Sequence, residues 1–179
     1  MKENYTHLFG PMEIDAIGEI MNISLGSSAT AISTLLDRRV DITTPTVDIL
    51  VRSEFEFSAL EPAIGIQITY TQGLEGSNIM LMKKQDIRTI LGILMQTEIP
   101  EEDFMMDEIA ISAVCEVMNQ MMGASATAMS EFLGERVDIS TPVTIPVTDV
   151  EAFKDEYFVD DRPMIVISFR FYIEDCMDS

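Results

Sequence analysis

Residues 12–45 and residues 109–142 are one segment written twice. They align without a gap, and 18 of the 34 positions are identical, where unrelated segments would share about two. Duplication predicts a chain of two similar halves related by a pseudo-two-fold axis. The 179 residues then divide into a first repeat over 11–99 and a second over 104–179, joined by the acidic stretch Pro100 to Asp103 and folded as a single domain.

Each repeat opens on a helical pattern. Ile14, Ile17, Ile20, Met21 and Leu25 recur at three-to-four spacing. Pro11 suits the first turn of the first helix, and Asp107 is placed to cap the second. Small residues follow in register, Gly26, Ala29 and Ser33 in one copy and Gly123, Ala126 and Ser130 in the other. Such a stripe lets backbones approach, so the two helices are expected to touch along it.

Extended runs come next. Arg39 to Thr44 stops at Pro45, and Thr46 to Arg52 continues extended. Ala63 to Thr71 and Asn78 to Met82 flank Gln72-Gly73-Leu74-Glu75-Gly76, a hairpin signature. Asp86 to Gln96 reads as a helix. In the second half Arg136 to Thr141 and Val143 to Thr148 are extended, and Met164 to Ile173 reads as one strand. The fold class is α/β (α+β), a helix–strands–helix unit used twice, with paired long helices on a mostly antiparallel sheet. At the point where the first copy continues from Ser77 to Gln96, the second reaches Glu174 to Ser179. The second copy is therefore expected to lack a strand and a helix, and the natural chain to run further.

Charge excludes several functions. Lys and Arg number 11 against 31 Asp and Glu, a net charge of −20. Nucleic-acid binding needs basic patches, and none occurs; anionic membrane surfaces are disfavoured for the same reason. With 47% hydrophobic residues the chain is not a disordered acidic tail. No apolar run is long enough for membrane insertion. Met1 to Gly10 has one Lys and no apolar core, unlike a signal peptide, and the chain reads as cytosolic.

Most familiar chemistry is missing as well. The single His, His7, falls in a terminus expected to fray, so His-based triads and zinc sites are not expected. No Gly-rich phosphate loop, calcium loop or other metal-ligand spacing occurs. Cys115 lies in a helical pattern and reads as a buried reduced thiol, Cys176 near the end of the chain. Glu101-Glu102-Asp103 and Asp160-Asp161 read as solvated loop charge. The 14 Met, among them Met118, Met121, Met122 and Met129, read as core filling before adaptable partner surface.

One constellation stands out. Asp15, Glu19 and Asn22 fall at i, i+4 and i+7, on one face of a helix, and Ser112, Glu116 and Asn119 repeat them. Pro45 and Pro142 follow each Asn at the same distance. Asn is a poor helix former, so its presence in both copies calls for a reason. A solvated polar stripe is the plain alternative, and duplication copies neutral features too, so these residues alone leave both readings open.

The doubled pattern D/S-x3-E-x2-N-x22-P resembles that of the CheC/FliY/CheX family of chemotaxis phosphatases. Asp15, Glu19, Asn22 and Pro45 fit it, as do Ser112, Glu116, Asn119 and Pro142. The flanking segments, Asn22 to Gly26, Val40 to Pro45 and Glu116 to Gly123, are most similar to the motor-switch branch. The resemblance implies a CheC-like fold and hydrolysis of the aspartyl phosphate on the response regulator CheY. CheY would supply the phosphate and its own Mg²⁺, so no cofactor is expected on this chain. Asn22 and Asn119 would orient the water, and Glu19 and Glu116 would engage the regulator's lysine. Asp15 and Ser112 would serve at the helix surface or in docking, Pro45 and Pro142 in shaping the connection. Implied surroundings are motor-switch proteins of the FliM, FliG and FliN types, at the cytoplasmic face of the flagellar basal body, with a FliN-like domain following in the natural chain. Two alternatives remain: a free-standing CheC-type phosphatase that also serves as adaptor for the deamidase CheD, and a motor-switch binding module without catalysis.

Overall fold

The computed structural model describes residues 9–57, 62–158 and 162–179; His7 and the Asp160-Asp161 pair lie outside them. Two 26-residue helices dominate, α1 (Pro11–Leu36) and α3 (Glu108–Leu133). Pro11 stands in the first turn of α1, where its missing N–H costs nothing. The Asp107 carboxylate accepts the Ala110 N–H at 2.9 Å and caps α3. Each helix ends on a left-handed residue at the matching place, Asp37 (φ 49°) and Gly134 (φ 68°).

Between and after them run β1 (Val40–Ile42), β2 (Thr46–Leu50), β3 (Ala63–Gln72), β4 (Ser77–Lys83) and α2 (Lys84–Met95), then β5 (Asp138–Ile139), β6 (Val143–Val147), α4 (Val150–Tyr157), β7 (Met164–Ser168), β8 (Phe171–Ile173) and β9 (Met177–Asp178). The β3–β4 hairpin turns through Gly73, at φ 83°. A Cβ there would sit 2.3 Å from the Arg136 carbonyl oxygen, so only glycine fits.

The halves exchange strands. The long strand β3 of the first repeat pairs antiparallel with β6 and β5 of the second, Ala63 opposite Val147, Gln67 opposite Val143 and Tyr70 opposite Ile139. In return β7 and β8 pair with β2 and β1, Met164 opposite Leu50, Ser168 opposite Thr46 and Phe171 opposite Ile42. These are the same register, the arrangement that a pseudo-two-fold axis generates.

The duplication reaches down to hydroxyl groups. Thr43 donates its N–H to the Arg170 carbonyl and accepts the Arg170 N–H on Oγ1, both at 3.0 Å. Ser140 does the same to Thr69, at 2.8 and 2.9 Å. Ser33 and Ser130 each accept the N–H that opens the next extended segment, Val40 at 3.0 Å and Val137 at 2.9 Å. In both copies a side chain completes the ladder where the backbone turns away.

One hydrophobic core joins the repeats. It gathers Leu25, Ile32, Ile66, Ile68, Ile87, Met118, Met121 and Ile173 from α1, β3, α2, α3 and β8. Met118, Met121, Met122 and Met129 are all buried, as core filling requires. A smaller aromatic cluster, Phe55, Phe57, Phe153 and Phe158, seats α4 beside β6.

Five expectations need amending. The long helices do pack on each other, but Gly26 and Gly123 look onto open space. Across the seam the buried Ser28 donates to the Met121 carbonyl at 2.8 Å, and of the expected stripe Ala29 and Ala126 are buried while its glycines are not. The run from Met164 to Ile173 is broken at Phe169 and Arg170, where Thr43 takes over the pairing. Residues 174–176 form a turn into β9, which lies against β8 as β4 lies against β3, so the strand counted as missing has a short counterpart. Helix α4 was not expected; Asp149 caps it, accepting the Ala152 N–H at 2.7 Å, and its few apolar positions carry little periodicity. Cys115 is half-buried rather than buried, Cys176 is exposed, and both are free thiols. Glu101 to Asp103 are exposed, in a single 3-10 turn.

Candidate functional site

The two polar triplets occupy matching outer faces of α1 and α3. Asp15, Glu19 and Asn22 are all exposed, and so are Ser112, Glu116 and Asn119. In α1 they lie on the stretch before the helix sinks at Ser24 and Leu25. Residues four apart stack on one face, and a further three bring Asn onto it, so each triplet presents a carboxylate and a carboxamide to the same body.

Pro45 and Pro142 are buried. Each stands between two extended segments, Pro45 between β1 and β2 and Pro142 between β5 and β6, where a residue lacking an N–H interrupts the ladder. The chain therefore bends beside the polar face of the helix. At the first site Asp15, Glu19 and Asn22 share with Thr44, Pro45, Val47, Ile14 and Gly18 the walls of a shallow open depression of about 310 Å3. The structure thus brings the first set of four motif residues to one depression. In the second set the four hold the equivalent places on α3 and the β5–β6 turn.

The two sites are not identical. Gly18 leaves the floor of the first open, and a Cβ built there would meet Val47 Cγ2 at 3.7 Å. The equivalent residue is Cys115, against the backbone of Thr144, which stands where Val47 does. Burial pushes the Cys115 thiol up, and the Thr144 backbone contact pulls it back in part. A second difference lies beside the carboxylates: Gln120 Nε2 donates to Glu116 Oε1 at 2.8 Å, whereas Ile23 takes Gln120's place in the first copy. Sequence reasoning singled out Asp15 against Ser112 and passed over these two pairs. Their signal was present in the aligned repeats, as a mismatch one residue before each Glu and one after each Asn.

Among the described residues no three His, Cys, Asp or Glu gather as a metal site, and no helix is long and apolar enough to cross a membrane. What the faces offer is hydrogen bonding. A carboxamide both donates and accepts, and so can hold a water by two contacts, while a neighbouring carboxylate can pair with a cation.

Known proteins resemble this chain in sequence and fold. The model of the CheC-like family matches residues 12–49 and 109–145, the two segments that carry the triplets. The flagellar motor switch phosphatase FliY of Bacillus subtilis is 42% identical over 169 residues, which span 94% of this chain and 44% of that protein. The CheY-P phosphatase CheC of the same organism is 28% identical over 137 residues, 73% of this chain and 64% of that one. The chain thus spans less than two thirds of either curated relative. The crystal structure of Thermotoga maritima FliY superposes with a TM-score of 0.80 at 35% identity, covering 96% of this chain and 88% of that one.

Proposed function

The chain belongs to the CheC-like family, and from that membership we propose that it is a phosphatase acting on the aspartyl phosphate of the response regulator CheY, at the flagellar motor switch. The observation that carries the reading is the paired Glu and Asn, exposed on one helix face, twice, each beside a buried Pro. A chain whose relatives are named a motor switch phosphatase and a CheY-P phosphatase, and which presents this pair in both copies, has what the reaction asks of it.

The reaction asks for little beyond position. CheY brings the phosphoryl group on its aspartate and the Mg²⁺ that neutralises it; no metal is assigned to this chain. Asn22 or Asn119 holds a water in line with the phosphorus. The water oxygen forms the new bond to phosphorus, the bond to the aspartate oxygen breaks, and inorganic phosphate leaves. Glu19 or Glu116 pairs with the regulator's active-site lysine and sets the approach. Fixing an attacking water against a loose transition state is the main catalytic task in phosphoryl transfer. Asp15 and Ser112 stand at the rim, and Pro45 and Pro142 hold the strand turn against the helix.

Charge decides how the partners meet. Receiver domains are acidic around their phosphorylation site, so a chain at −20 gains nothing from long-range steering. Short-range contacts and tethering among FliM-, FliG- and FliN-type neighbours, at the cytoplasmic face of the basal body, would supply the encounter instead. The test is the decay of phosphorylated CheY with and without this chain. Acceleration at sub-stoichiometric chain is expected. Unchanged decay would defeat the enzyme reading and leave a binding module or, with the deamidase CheD as ligand, an adaptor.

A further inference from the structure

Both triplet helices expose a large apolar side chain in their first turn, at the same place. Met12 is 82% exposed and Ile109 is 71% exposed; they are equivalent residues of the repeat, each three positions before Asp15 or Ser112. At 100° per residue, Met12 falls with Asp15, Glu19 and Asn22 inside an arc of about 80°, and lies about 15 Å along the axis from Asn22. Ile109 stands in the same relation to Ser112, Glu116 and Asn119.

We propose that Met12 and Ile109 are the docking anchors of the two sites, apolar contacts on which the phosphorylated receiver domain seats before Asn22 or Asn119 reaches its phosphate. The proposal rests on the phosphatase reading above and names the residues that supply its binding energy. A body that brings a phosphate to Asn22 also covers neighbouring helix surface, and Met12 is the most exposed apolar group on that face, about 15 Å along the helix. Exposed apolar side chains at single positions are ordinary. This one recurs at the matching position of both copies and is continuous with the face that carries the Glu–Asn pair.

Charge disfavours a second copy of the chain as occupant, and continuity with the Glu–Asn face in both copies points to the substrate of that face. Glu13 and Asp15 follow Met12 within one helical turn, and Asp107 and Glu108 directly precede Ile109. A second copy meeting the chain face to face would set these carboxylates against their own like charges. With like net charge on both partners, burial of an apolar anchor is the attractive contact that salt does not screen.

The experiment measures turnover and binding separately. In steady-state hydrolysis of phosphorylated CheY, the double variant Met12→Glu with Ile109→Glu should raise KM at least 10-fold and leave kcat within twofold. Met12→Leu with Ile109→Val should keep both within twofold. Binding of CheY held in its active form by beryllofluoride, followed by anisotropy, should weaken in parallel with KM. An unchanged KM in the double Glu variant, or a fall in kcat at unchanged KM, overturns the proposal. So does a change of mass by light scattering at unchanged KM, which would assign the two residues to self-association. If the wild-type chain binds beryllofluoride-activated CheY yet does not speed phosphate loss, the catalytic reading fails, and the binding titration still decides the anchors. If it does not bind at all, both fall.

Discussion

Ser28 Oγ donates to the carbonyl oxygen of Met121 at 2.8 Å, and this bond crosses the buried seam between α1 and α3. Both residues are shut off from solvent, so the seam accepts nothing larger than a hydroxyl on that side. Ser28→Ala should cost about 1 kcal/mol, the usual worth of one such bond. Ser28→Leu should cost about 1–3 kcal/mol, by forcing side chains into a packed seam. Urea denaturation of the two variants would show the order; a Leu variant as stable as the Ala variant would mean that the helices part easily.

The paired sites predict a pattern in turnover. If both work independently, Asn22→Ala leaves the share carried by the second site, and Asn119→Ala the share of the first. The double variant should lose turnover by about 100-fold, the usual penalty for losing the geometry of an attacking group. Because all four Glu and Asn side chains are exposed, urea midpoints should stay at the wild-type value. Initial rates of phosphate release, with wild type and the three variants at equal concentration, test this. Full activity in the double variant would remove Asn from the mechanism.

Cys115 and Cys176 should react with alkylating agents in a fixed order. The thiolate is the reactive form. Burial raises the Cys115 thiol above its ordinary value, so at pH 8 it holds less thiolate than a free cysteine would, and its share grows as pH rises. Cys176 is exposed and should be labelled first by iodoacetamide, with Cys115 following only at higher pH. Peptide mass spectrometry across pH 7 to 10 reads the order. Equal labelling at pH 7 would mean that burial does not protect the Cys115 sulfur.

The helix ends differ in a way that stability should record. Gly134 closes α3 at φ 68°, while Asp37 closes α1 at φ 49°, in a region where a side chain costs about 1 kcal/mol. Asp37→Gly should therefore stabilise the fold by a few tenths to about 1 kcal/mol, the gain reduced by glycine's freedom in the unfolded chain. Thermal unfolding measures it. A lower midpoint would mean that the Asp37 carboxylate makes a compensating contact.

Much of the architecture is local and could be read from residue order. Helices α1 and α3 follow from three-to-four periodicity with Pro11 and Asp107 at their starts; the β3–β4 hairpin follows from Gly73 and Gly76. The triplets were legible because helix geometry alone brings residues at i, i+4 and i+7 to one face. Helix α4 escaped because eight residues carry too few apolar positions to show a period, and its Phe153 finds its partners, Phe55 and Phe57, far off in the chain.

The sequence by itself determined that the chain is built twice over, where its long helices run, and which polar residues each helix displays. Tertiary structure alone decided that the halves exchange strands, β3 into the second repeat and β7–β8 into the first. It also decided that Ser28 and Met121 meet across the helix seam while Gly26 and Gly123 face open space, and that Gly18 lines the first site where Cys115 stands against Thr144 in the second copy. The reason is range. Periodicity and caps act between residues a few places apart, whereas strand exchange and seam packing choose among partners about a hundred residues away, and only the fully packed chain ranks those choices.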